Sequence, residues 1–301
     1  MGEFWSRWCP ARKRNEAATS VAQLIFKLTD PAVFAFSSAA IMWSWFYTPH
    51  KLPKAYNKWI TSAAAVDGRL IQALRECRAG TLRYGEETGR AELLQSMCAD
   101  YKFPLEWGNP AVAVPFPCEL VHMGSGPSCE YHAFHRFHKS WIWAMSTYLP
   151  INMLLQLRKP SRKGLERALV SSARSSGFLG AFIALFYYGV CLARTRVGPR
   201  ILGKDRIARQ TIDSGVCVGS GCMLCGWSVL VETASRRKEL ALFVAPRALA
   251  TLLPRRYPLE KQWRETVVFA ASAAVVLTCL QENPQRVRGV LGKVLGKVMA
   301  R

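Results

Sequence analysis

The chain has 301 residues, half of them hydrophobic, and a formal net charge of +21 from 41 Lys and Arg against 20 Asp and Glu. A basic surplus of this size can mark a nucleic-acid binder, but 17 of the 21 net charges lie in four segments after residue 157 that each abut an uncharged run. That placement belongs to membrane edges, where Lys and Arg meet anionic headgroups, and it argues against nucleic acid as a partner.

The first residues are basic and aromatic, and no apolar run with a small-residue cleavage site follows closely, so no secretory signal is expected. Gly2 precedes a poor myristoylation context. Residues 16–30 read as a short helix. Pro31–Thr48 is the first uncharged run; Pro31 suits a first helical turn, and Trp43, Trp45 and Tyr47 suit a headgroup belt. A buried core helix is the alternative for this run.

Residues 49–139 read as a polar insert. Ser62–Arg78 places Val66, Leu70, Ile71 and Leu74 on one helical face, and Ala91–Tyr101 is a second helix. Residues 103–118 hold four prolines and must be extended or turned. Four of the five histidines in the chain then fall within 17 residues. Cys118, His122, Cys129 and His132 could supply two thiolates and two imidazoles to a tetrahedral structural zinc, although the spacing is not that of a standard finger. A Cys118–Cys129 disulfide and plain surface or capping roles stay open beside it. No other cofactor is expected.

The second uncharged run, 140–157, carries Pro150 near its middle. The third is Ser175–Ala193 with 19 residues, and the fourth is Ser214–Val231 with 18. At about 1.5 Å per residue each nearly covers the ~30 Å hydrocarbon core of a bilayer. The third run repeats small residues at Ser176, Gly180 and Ala184, and the fourth at Gly215, Gly219, Cys222 and Gly226. Such faces let helices approach closely. A pore wall or an oligomer interface is the functional alternative to packing. The Cys222–Cys225 pair lies inside an apolar run and reads as packing rather than as a redox motif. Leu240–Pro254 reads as interfacial or re-entrant, Thr266–Gln281 as a short fifth run, and the VLGK-repeating tail as a basic amphipathic helix on a membrane surface.

The expected fold is therefore all-α: a multi-span integral membrane protein with about four to five transmembrane helices plus interfacial helices. Three stretches are expected. Residues 1–48 hold an N-terminal segment and the first transmembrane helix. Residues 49–139 form the polar insert with its Cys/His-rich segment. Residues 140–301 form a helical membrane domain with basic loops and an amphipathic tail. Partners are the bilayer with its anionic headgroups and other membrane proteins or further copies of the chain. No phosphate-binding loop, nucleotide fingerprint or Ser/His/Asp set is present, and repeated His boxes of the di-iron kind are missing, so the chain reads as non-enzymatic.

Several segments carry a family resemblance: CELVHMGSGPSCEYH, STYLPINMLLQLRKPSR, SSARSSGFLGAFIALFYYGVCLARTR and GSGCMLCGWSVLVETASRRKELALFVAPRALATLL, with FAFSSAAIMWSWFYTPHKLPKAY like the end of a preceding unit. Together they resemble the transmembrane protein 135 family of peroxisomal and mitochondrial membrane proteins. The glycine-faced run with Glu232, Arg236 and Arg237 is also similar to mitochondrial protein-import translocase subunits. The resemblance implies a multi-span helical protein of a peroxisomal or mitochondrial membrane, tied to lipid storage and organelle dynamics, without a catalytic residue. Family members carry two related halves, whereas this chain holds one unit and the end of another. The alternatives are a component of a translocation path for protein or solute, and a metal-dependent membrane enzyme using the Cys/His cluster.

Overall fold

A computed structural model describes residues 16–156, 161–253 and 259–282. All regular structure among the described residues is helical, as the sequence leads one to expect. The chain divides into two compact units, residues 1–253 and 254–301.

The first unit is a row of helices. Helix α1 (Glu16–Tyr47) is followed by α2 (Lys54–Ala64), α3 (Gly68–Ala79) and α4 (Ala91–Asp100). A one-turn α5 (Cys118–Val121) leads to α6 (Cys129–Gln156). Two long helices follow, α7 (Arg162–Ile201) and α8 (Arg206–Val231), and then α9 (Ala234–Leu252). Helices α7 and α8 form the central hairpin. Helix α6 packs along α7, while α1 lies against both α8 and α9.

Local chemistry explains the breaks. Ser161 starts α7 by accepting the Gly164 amide at 3.0 Å, and Asp205 starts α8 by accepting the Ala208 amide at 3.3 Å. The single helix expected over Ser62–Arg78 is two. Ala65 adopts a left-handed conformation with φ 47°, and Asp67 caps α3 by accepting the Arg69 amide at 2.9 Å. Pro31 does not open a helix, because α1 runs through it from Glu16 and a proline there removes only one backbone donor. Pro150 and Pro246 are likewise carried inside α6 and α9.

Among the described residues, three helices are long and apolar enough to cross a membrane: α7, α8 and, in the second unit, α10 (Trp263–Glu282). That is fewer than the four to five expected. Aromatic and hydroxyl residues dilute the apolar character of the first run, and Pro150, Asn152 and three Ser or Thr residues dilute that of the second. The first run is instead core. Phe34, Ile41, Met42, Trp45 and Phe46 are buried, and Trp45 donates its indole N–H to Thr61 at 3.0 Å rather than to a headgroup. Arg78 stands over the rings of Trp43 and Tyr47 at 4.8 and 4.9 Å.

The insert has its own small core of Leu82, Tyr84, Leu94, Met97, Phe116 and Leu120 with their neighbours. It ends inside α6, which crosses residue 139 without a break. Leu240–Leu252 belongs to a continuous helix with Ala241, Val244, Ala248 and Thr251 buried. Helix α10 exposes almost all of its apolar window. The repeated tail after residue 282 and the first fifteen residues lie outside the described residues.

Candidate functional site

Three features stand out in the first unit: a hairpin clasped by polar groups, a pair of cavities, and the Cys/His cluster.

The clasp begins where α7 and α8 each relax into a π-helical turn, at Ala193–Val197 and Ile212–Val216. Such turns lie at functional or strained positions in many proteins. Here they bring Arg194 and Asp213 together. Arg194 donates Nε to Oδ1 at 2.6 Å and Nη2 to Oδ2 at 2.8 Å, and both side chains are at most 4 % exposed. Tyr84 of the insert donates its hydroxyl to the same carboxylate, and Arg194 also donates to the Phe116 carbonyl at 3.2 Å. Burial, followed by the Asp213 charge, pushes the Tyr84 phenol well above its usual range, so it stays a donor. Gln210 adds bonds to the Leu82 and Cys77 carbonyls at 2.9 and 3.2 Å. The insert is thus hydrogen-bonded onto one end of the hairpin.

The other end has its own polar set. Ser175 donates to Glu232 at 2.8 Å and accepts from Arg236 at 3.0 Å. Ser175 to Arg194 is 19 residues, as is Asp213 to Glu232, or about 28 Å along a helix. That matches the ~30 Å hydrocarbon thickness. The polar ends therefore stand one bilayer core apart.

Between them the helices touch through glycine. A Cβ at Gly221 would meet the Phe186 carbonyl oxygen at 2.6 Å, and one at Gly189 would meet the Gly221 Cα at 2.8 Å. The small residues singled out by spacing have various neighbours. Gly180 faces the Phe137 backbone of α6 at 3.0 Å, Gly226 sits against Ala35 of α1, and Gly219 faces the Trp43 ring at 3.6 Å. Ser176 is buried, with its hydroxyl 3.7 Å from the Met145 sulfur. Cys222 is buried in the main core, and Ala184 is half-buried. Gly215 has φ +150°, so it belongs to the π turn rather than to a regular helix face. Spacing alone missed Gly189 and Gly221, since Gly221 lies off the face that Gly215, Gly219 and Gly226 define.

An apolar cavity of about 400 Å³ opens between α1, α2, α7 and α9, lined by residues such as Phe34, Met42, Ile60, Phe182, Ile183 and Val244. A polar cavity of about 360 Å³ lies on the other side of the Ala64–Ala65 turn, with His135, Arg136 and Lys139 in its wall. Arg136 joins the two. Its guanidinium stands 4.6 Å over the Tyr187 ring, which lines the apolar cavity, and it donates to the Ala65 carbonyl at 3.1 Å.

In the Cys/His cluster, Cys118, His122 and Cys129 place ligand atoms within 4.8 Å of one another. His132 is not in that set. Its ring stacks on His122 at 4.4 Å and 13°, and its Nδ1 pairs with the Ser125 hydroxyl at 2.5 Å. Burial, with smaller contributions from His122 and Arg136, pushes the His132 imidazole down to about 3, so it is neutral. The Cys118 and Cys129 thiols are free rather than bonded to each other.

Comparison of the chain with protein-family models, with curated proteins and with solved structures returns no match.

Proposed function

We propose that the protein is a non-enzymatic integral membrane protein that handles lipid, taking an acyl chain into the apolar cavity and an anionic headgroup into the polar one. The observation that carries this reading is the adjacency of the two cavities across one turn. Their volumes fall in the ~300–1,000 Å³ range of small-molecule sites, and the change from aromatic wall to Arg136 and Lys139 matches the two ends of an amphipathic ligand. The resemblance to the transmembrane protein 135 family points the same way and would imply a peroxisomal or mitochondrial membrane. A translocation path beside the glycine face is the weaker reading, since Trp43 of α1 already fills the space at Gly219.

Two measurements test the proposal. Alkaline carbonate extraction of organelle membranes leaves the chain in the pellet; recovery in the supernatant refutes membrane integration. Detergent-purified protein retains a fluorescent-acyl phosphatidic acid, and Ala63→Trp, which fills the apolar cavity, weakens that binding at least about tenfold, a loss of ~1.4 kcal/mol. Equal retention by Ala63→Trp and the unaltered protein would rule out the cavity as the acyl site.

A further inference from the structure

The Cys/His cluster gains a member from the central hairpin. His122 Nε2 lies 3.3 Å from the Cys191 sulfur of α7. Around a tetrahedral zinc with Zn–S of about 2.3 Å and Zn–N of about 2.0–2.1 Å, neighbouring ligand atoms stand about 3.5–3.8 Å apart. Cys118, His122 and Cys129 place their ligand atoms within 4.8 Å of one another, and the His122 Nε2 to Cys191 sulfur separation of 3.3 Å is close to what a bound ion would impose. We propose that Cys118, His122, Cys129 and Cys191 form a closed Cys3His site for a structural zinc ion, with Cys191 in the place that sequence spacing gave to His132.

Two further observations carry it. First, His122 Nδ1 lies 2.7 Å from the Gly126 carbonyl. A carbonyl only accepts, so Nδ1 holds the proton and Nε2 presents its lone pair to the sulfurs. Zinc-ligating histidines are oriented in this way. Second, the parallel stack of His132 on His122 keeps their in-plane lone pairs from converging on one ion. The ion would tie α5 and the start of α6 to the end of α7. It would fasten the insert to a membrane helix beside the Arg194–Asp213 clasp.

The test uses the full chain, purified in detergent under reducing conditions, with Zn2+ or Co2+ alone as the probe. One equivalent of zinc is expected. The cobalt form is expected to show a near-ultraviolet thiolate charge-transfer band sized for three thiolates. Cys191→Ser should lose about a third of that band and bind zinc at least about 100-fold more weakly, since even residues that only orient a ligand cost 10–100-fold. His132→Ala should keep one full equivalent. Because Cys191 is buried and its variant can misfold, alkylation of the unaltered protein gives a second readout. Zinc should slow modification of Cys118, Cys129 and Cys191 together, as read by mass spectrometry. Less than about 0.2 equivalents of metal, a Cys118–Cys129 disulfide in the native protein, zinc-independent alkylation of Cys191, or an unweakened Cys191→Ser variant would each overturn the site.

Discussion

Asp213→Ala is expected to destabilise the protein by about 3–5 kcal/mol, the cost of leaving one partner of a buried ion pair uncompensated. Asp213 takes two bonds from Arg194 and one from Tyr84 in a site with almost no solvent. Alanine leaves the guanidinium with the Phe116 carbonyl as its remaining acceptor. The damage also spreads, because the same carboxylate joins α7, α8 and the insert. Tyr84→Phe should cost only about 1 kcal/mol, since the carboxylate keeps its bidentate partner. Replacing the set together, as Arg194→Met with Asp213→Leu and Tyr84→Phe, should recover most of the loss, because buried pairs are often matched by apolar groups of like volume. Denaturant titration in detergent, followed by the retention of a monodisperse species, reads all three. An Asp213→Ala protein within about 1 kcal/mol of the original would mean that the pair is hydrated in solution and that the clasp is not structural.

Gly221→Ala should cost about 2–3 kcal/mol, while Gly219→Ala is neutral or slightly stabilising. The two glycines are two residues apart in one apolar helix, yet their surroundings differ. The added methyl at Gly221 would stand 2.6 Å from a backbone carbonyl of α7, which no side-chain rotation can relieve. The helices must separate, and overpacking of this kind costs ~1–3 kcal/mol. At Gly219 the nearest atom is a Trp43 ring carbon at 3.6 Å, an ordinary contact, and replacing a helical glycine by alanine returns about 0.8–1.0 kcal/mol of propensity. Thermal stability of the two variants in the same detergent measures the contrast. Equal effects would show that α7 and α8 do not meet through backbone contact.

Much of this architecture can be read from residue order. Uncharged runs of 19 and 18 residues mark the apolar stretches of α7 and α8, and basic segments flank them. The Cys/His segment was conspicuous because four histidines crowd into it. Other parts were hidden for definite reasons. The first run is as uncharged as the others, but absence of charge is not high hydropathy: its aromatic and hydroxyl residues keep it from a spanning helix's apolar character, and it packs as core against α8 and α9. In sequence Asp213 is a single carboxylate with no visible partner, and it gains one only when α7 and α8 fold back on each other. Cys191 is one more cysteine in an apolar run until folding: it is 69 residues from His122 in sequence, and only tertiary packing brings its sulfur to 3.3 Å from the His122 ring.

The sequence by itself determined the helical class, the length and hydropathy of the hairpin helices, and the side-chain chemistry available, because these depend on local pattern and composition. Tertiary structure alone decided which glycines touch, which charges pair and which sulfur faces His122. Those are matters of distance between segments far apart in the chain, and a contact of 2.6 Å and one of 3.6 Å follow from how helices cross, not from how their residues are spaced.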